Sequence, residues 1–104
     1  MNTKGLIRAD VALKKLLGTV KFGTMLNAIR VTDEYTQVQY AKKLKISRQE
    51  LCNIEKNRKI VSVERAVEFA KKLGYSPKVF AKYALQDQLD RAGIKGEVMI
   101  KDVA

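Results

Sequence analysis

The 104-residue chain contains no histidine, one cysteine, one proline and no long apolar run. Without histidine the common zinc and haem ligand sets are missing, and so is histidine-based acid–base catalysis. Cys52 has no second cysteine with which to close an internal disulfide, and it reads as a small space-filler rather than a redox switch. No stretch approaches the roughly 20 apolar residues needed to span a bilayer. Asp10, Lys14 and Lys15 interrupt any signal-peptide core, so the expectation is a cytoplasmic protein without membrane contact. The carboxylates Asp10, Asp33 and Glu34 are accompanied by no GxxxxGK loop, and no catalytic residue, cofactor or metal is expected.

What the chain has is positive charge, with 21 Lys and Arg against 11 Asp and Glu for a formal +10. Its distribution is uneven. Between residues 36 and 60, Lys42, Lys43, Lys45, Arg48, Lys56, Arg58 and Lys59 oppose only Glu50 and Glu55, a net +5, whereas residues 87–103 carry a net −1. A localised positive field of this kind suits a polyanionic partner. With 46% apolar residues the chain can build one core, and its length suits a single domain.

Helical periodicity and caps organise that domain. Leu6, Ile7, Val11, Leu16 and Leu17 outline a short helix in an N-terminal extension, residues 1–21. Phe22, Met25, Leu26 and Ile29 line one face of a helix ending near Asp33. Thr36 with Gln39 forms a capping box for a helix over about residues 37–44, with Val38, Ala41 and Leu44 facing inward. Ser47 and Glu50 repeat the pattern at once, so the chain must turn sharply at Lys45 and Ile46. Ser62 caps a fourth helix with the stripe Val63, Ala66, Val67, Ala70 and Leu73, stopped by Gly74. Pro77 opens a fifth after Ser76, carrying Phe80, Tyr83, Ala84 and Leu89 and ending by Gly93. The fold class is thus all-α, a compact five-helix domain over residues 22–93. Residues 94–104 read as a tail or a short strand.

Two capped helices joined by a tight turn, residues 36–59, outline a helix-turn-helix. If the second helix sits in the major groove, Arg48, Gln49 and Asn53 face the base edges. Arg48 has the donors for guanine O6 and N7, and Gln49 and Asn53 those for adenine. Glu50 is assigned to the cap, with cytosine N4 as the alternative. Gln37 lies near free backbone N–H groups that could hold a phosphate, and Lys56, Asn57, Arg58 and Lys59 could clamp the backbone beyond the reading helix. The plainer reading of that basic run is a solvated helix end complementing its dipole. Lys42 and Lys43 chiefly raise the local potential, and Tyr35 and Tyr40 are expected to pack on the first helix.

These residues resemble the Cro/C1-type helix-turn-helix family, also called the XRE family. The match rests on Phe22, Leu26 through Ile29, T36-Q37-x-x-x-A41-x-x-L44-x-I46-S47, L51-x-x-I54-E55 and the helix over residues 63–73, and it extends across about residues 22–77. The resemblance implies double-stranded DNA as partner, phosphate contact at Gln37 and near Asn57, and base contact at Arg48, Gln49 and Asn53. Family members commonly have glycine where Lys45 and Asn57 stand here, which asks both residues for positive φ. From Leu73 onward the chain also resembles small HigA-like antitoxins, whose C-terminal helices support a dimer and which neutralise a ribonuclease toxin. Two expectations follow, a dimeric repressor on a palindromic operator or an autoregulating antitoxin with a toxin partner. Phe80, Tyr83, Leu89 and Ile94 are the candidate dimer seam.

Overall fold

A computed structural model of the chain describes residues 20–101. They form five helices: α1 Phe22–Thr32, α2 Gln37–Leu44, α3 Arg48–Glu55, α4 Val63–Leu73 and α5 Pro77–Arg91. α1 lies across α3 and α5, α2 touches α3 and α4, and α4 packs along α5. The helix expected near the N-terminus falls outside the described residues. No described helix is long and apolar enough to cross a membrane.

Local chemistry starts four of the five helices. Thr36 accepts from the Gln39 N–H at 3.1 Å, and Gln39 Oε1 accepts from the Thr36 N–H at 2.9 Å, which completes the expected capping box. Ser47, Ser62 and Ser76 each accept from the backbone N–H three residues on. Each such cap contributes about 1 kcal/mol. α4 stops at Gly74, whose φ of 77° lets the Tyr75 N–H reach back to the Ala70 carbonyl at 2.9 Å.

α1 is different, because its N-cap residue Lys21 provides no side-chain bond. The free N–H groups of its first turn find partners far along the chain. The Phe22 N–H donates to Asp87 Oδ2 at 3.3 Å, and the Gly23 N–H donates to Asn57 Oδ1 at 3.1 Å. Burial pushes the Asp87 carboxyl above its ordinary pKa, against the opposing pull of the Phe22 N–H. Gly23 is required by contact rather than by conformation, since a Cβ there would lie 1.9 Å from the Ile54 carbonyl oxygen. The start of α1 therefore rests directly on the end of α3.

The expected inward face of α1 is buried as Phe22, Met25, Leu26 and Ile29. In α2 the inward face is Tyr40, Ala41 and Leu44, and Val38 is 49% exposed. At about 100° per residue, Tyr40, Leu44 and Ala41 share an arc of about 100°, and Val38 lies about 60° beyond its edge. Tyr40 packs its ring against Tyr35, with centroids 5.6 Å apart. On α4 the fully buried residues are Ala66, Phe69 and Ala70, while Val63, Val67 and Leu73 are only partly covered.

Phe80 and Tyr83 correct the expectation of a dimer seam. Phe80 is 0% exposed, meeting Phe22 edge-on at 5.8 Å and stacking on Tyr75 at 6.0 Å, and Tyr83 is also buried. The monomer core consumes both rings because α5 must cover α1 as well as α4. Leu89 is partly covered and Ile94 remains at the surface.

Beyond α5, residues 94–101 form no helix or strand, yet the segment is held. The buried amide of Gln86 donates to the Gly96 carbonyl and accepts from the Val98 N–H, both at 2.8 Å. A side-chain amide offers the same donor and acceptor pair as a backbone peptide, which is how it fixes a segment outside any helix.

Candidate nucleic-acid interface

The turn between α2 and α3 is made by Lys45 at φ 58°, ψ 43°. The left-handed conformation lets the Ile46 N–H return to the Ala41 carbonyl at 3.0 Å and redirects the chain within three residues. Lysine thus adopts the backbone for which glycine is the usual choice, at a strain of order 1 kcal/mol. Asn57 closes α3 in the same region at φ 60°. A third such residue, Glu34 at φ 62°, ends α1; asparagine and glycine were the readable signals for this conformation, and Glu34 carries neither.

α3 divides its side chains between core and solvent. Leu51 and Ile54 are buried, Arg48 and Gln49 are exposed, and Asn53 is partly exposed one turn further on. Gln49 Nε2 donates to Asn53 Oδ1 at 3.4 Å, so the two amides form one polar surface. The proposed base-reading residues are therefore together on the open side of the helix.

The phosphate candidates separate into two groups. Lys56 and Arg58 are exposed, with Arg58 Nη2 3.9 Å from Cys52 Sγ. Gln37, Asn57 and Lys59 are held by nitrogen–oxygen bonds within the chain. Gln37 Nε2 donates to Glu55 Oε1 at 3.0 Å, and Asn57 Nδ2 donates to Thr24 Oγ1 at 3.0 Å while its Oδ1 accepts from Gly23. The Lys59 ammonium is paired with Glu50. Lys43 donates to the Tyr35 hydroxyl at 3.0 Å and lies over that ring.

Glu50 departs from its expected place in a second capping box. Its backbone N–H donates to Ser47 Oγ at 3.0 Å, but its carboxylate turns away from the cap. It accepts two bonds from Arg65, from Nη1 at 2.9 Å and from Nη2 at 2.8 Å, and a further one from Lys59. A bidentate guanidinium is a stronger donor pair than one neutral backbone N–H, which explains the choice. Arg65 and then Lys59 push the Glu50 pKa down to about 2. Arg65, which also lies over the Phe69 ring, had no sequence signal linking it to α3, 15 residues away.

At the other end of α3, Glu55 is almost fully covered, its side chain 2% exposed. Arg30 donates through Nε at 2.7 Å and Nη2 at 3.0 Å, Asn27 Nδ2 at 2.8 Å, and Gln37 completes the set. Arg30 Nη1 also reaches the Tyr35 carbonyl at 2.9 Å. Burial opposes the charged form of Glu55, and the donors from Arg30, Gln37 and Asn27 outweigh it, leaving the pKa below its ordinary value. One carboxylate thereby joins α1, α2 and α3. Among the described residues no group of three or more His, Cys, Asp or Glu is arranged to hold a metal ion.

In comparison with known proteins, a family model described as helix-turn-helix matches residues 26–80, just over half of the chain. No curated protein and no solved structure matches it.

Proposed function

We propose that this chain, which belongs to the Cro/C1-type helix-turn-helix family and is therefore a DNA-binding regulator rather than an enzyme, reads a specific double-stranded operator as a homodimer and represses transcription there. The observation that carries the proposal is the division of α3. Its apolar side is locked in the core while Arg48, Gln49 and Asn53 stand on the open side, with the donors and acceptors that match base edges. Lys56 and Arg58, beyond the helix end, supply sequence-independent attraction to the backbone. Gln37 reaches a phosphate with its second amide hydrogen while the first remains on Glu55.

One domain covers few base pairs. The described residues extend 34 × 31 × 30 Å, so two copies side by side match half-sites about one helical turn, roughly 34 Å, apart. With Phe80 and Tyr83 inside the monomer, the seam must use surface residues such as Ile60 and Ile94. Selection of bound duplexes from a random library tests the proposal, followed by titration of the selected duplex and a scrambled one. Palindromic enrichment and tighter binding of the selected duplex are expected; equal affinity for both would reject specific recognition.

A second reading, neutralisation of a toxin, is favoured by the tail that Gln86 holds. Met99 is 78% exposed there and Ile100 is also exposed, an apolar pair open to a protein partner. Co-expression with the product of the adjacent gene tests it. Recovery of the regulator without that product counts against an antitoxin role.

A further inference from the structure

Glu50 takes part in neither the core nor the base-reading surface, yet it is the most heavily engaged carboxylate on the open side of α3. It binds Lys59 from the basic run after α3 and Arg65 from the first turn of α4, and all three side chains remain partly accessible to solvent. We propose that Glu50 is a positioning residue that sets DNA specificity, by holding Lys59 away from indiscriminate contact with phosphate and by bracing the reading helix against α4. The inference rests on the DNA-reading function proposed above.

Two physical effects act in the same direction. A lysine ammonium at the edge of a DNA-binding face gains affinity for any duplex by displacing a counterion, whatever the sequence. Paired with Glu50 it loses that freedom, so the affinity that remains depends more on Arg48, Gln49 and Asn53. The second effect is mechanical. Glu50 sits three residues after the Ser47 cap, between the exposed Gln49 and the partly exposed Asn53. Its bidentate bond to Arg65 fixes the N-terminal half of α3 relative to α4, and Arg65 is itself steadied over Phe69. A side chain free to rotate in place of this brace would let the reading residues sample several tilts, which weakens bidentate base contacts more than phosphate contacts.

The experiment compares wild type, Glu50→Gln, the double variant Glu50→Gln/Lys59→Gln and Glu64→Gln. Glu64 is an exposed acidic residue in the first turn of α4, so its variant changes net charge by the same amount without touching the triad. Fluorescence anisotropy measures affinity for the selected and a random duplex across a salt series. Release of one lysine onto phosphate should steepen the slope of log affinity against log salt by about 0.9 for the random duplex, making the loss between about 50 and 200 mM salt about 3.5-fold larger. The preference for the selected duplex should fall in Glu50→Gln. The double variant should return the random-duplex slope to that of wild type, and Glu64→Gln should stay at the wild-type slope. An unchanged slope in Glu50→Gln, persistence of the gain in the double variant, or an equal gain in Glu64→Gln would each overturn the inference. If Glu50→Gln does not fold, as judged by circular dichroism, Lys59→Gln replaces it: a wild-type slope for the random duplex is expected because Lys59 is already withheld from phosphate, and a slope shallower by about 0.9 would overturn the inference. A wild-type chain that does not distinguish the two duplexes would sink the DNA-reading function itself, whereas a discriminating wild type with an unaltered Glu50 variant sinks only this inference.

Discussion

At its N-terminal end α3 shows Arg48 and Gln49 to solvent and is braced by the partly exposed ion pairs of Glu50, whereas its C-terminal end is enclosed by Glu55, Gly23 and Asn57. The same eight-residue helix thus has an anchored end and an open end. The anchored end relies on buried, multiply bonded groups and a backbone contact with no spare volume. The open end relies on electrostatics that water and salt can weaken. The anchored end fixes the orientation of α3, while at the open end Gln49 and Asn53 bond each other through a single 3.4 Å contact that a stronger external partner can replace.

Substitutions at the anchored end should destabilise the fold most, and those at the open end should change its stability much less. The largest expected effect is Glu55→Ala, which strands Arg30 as a nearly covered charge and should cost about 3–5 kcal/mol in urea unfolding. Next is Gly23→Ala, which forces α1 away from the Ile54 carbonyl and should cost about 1–3 kcal/mol or somewhat more. If either variant unfolds at the wild-type urea midpoint, the anchored end is not where the stability lies. Arg48→Ala and Asn53→Ala should each reduce discrimination between selected and random duplexes by roughly 1–3 kcal/mol with little change in that midpoint. A destabilised fold with intact discrimination would invert the comparison.

The smallest expected effect is on acid stability. Glu50, at a folded pKa of about 2 against an ordinary 4.5, contributes stability that is fully present above the ordinary value. That contribution disappears as pH falls from about 4.5 towards 2, because the unfolded chain takes up the proton first. Asp87 has the opposite sign: its pKa is raised, so its protonation on acidification favours the folded state. Urea midpoints for Glu50→Gln should therefore fall less steeply than wild type between neutral pH and pH 3, and those for Asp87→Asn more steeply. Parallel curves for wild type and Glu50→Gln would mean that the ion pairs at the open end do not stabilise the folded state.

Much of the helical plan was legible because its signals are local. The caps at Thr36, Ser47, Ser62 and Ser76 bond three residues on, Gly74 stops α4, and the open side of α3 follows from helical spacing after Ser47. Lys45 was legible through the turn it had to make, despite being an unfavourable residue for positive φ. The partners of the charged groups were not. Glu50 read as half of a capping box, a sound local inference that failed because a guanidinium 15 residues away arrives within hydrogen-bond distance. Phe80 and Tyr83 read as surplus apolar residues because nothing in α5 alone reveals that α1 covers it as well as α4.

The amino-acid order by itself determined where α2 to α5 begin, which residues stand on the outer side of α3, and the concentration of positive charge around it. These depend on bonds across three or four residues and on a fixed helical pitch. Tertiary structure alone decided that Asp87, 65 residues away, would cap α1, that Glu55 would gather Asn27, Arg30 and Gln37, and that Glu50 would hold Lys59 and Arg65. Those pairings depend on the angles and separations at which helices cross, and a side chain's reach of a few ångströms makes them sensitive to displacements that no local pattern encodes.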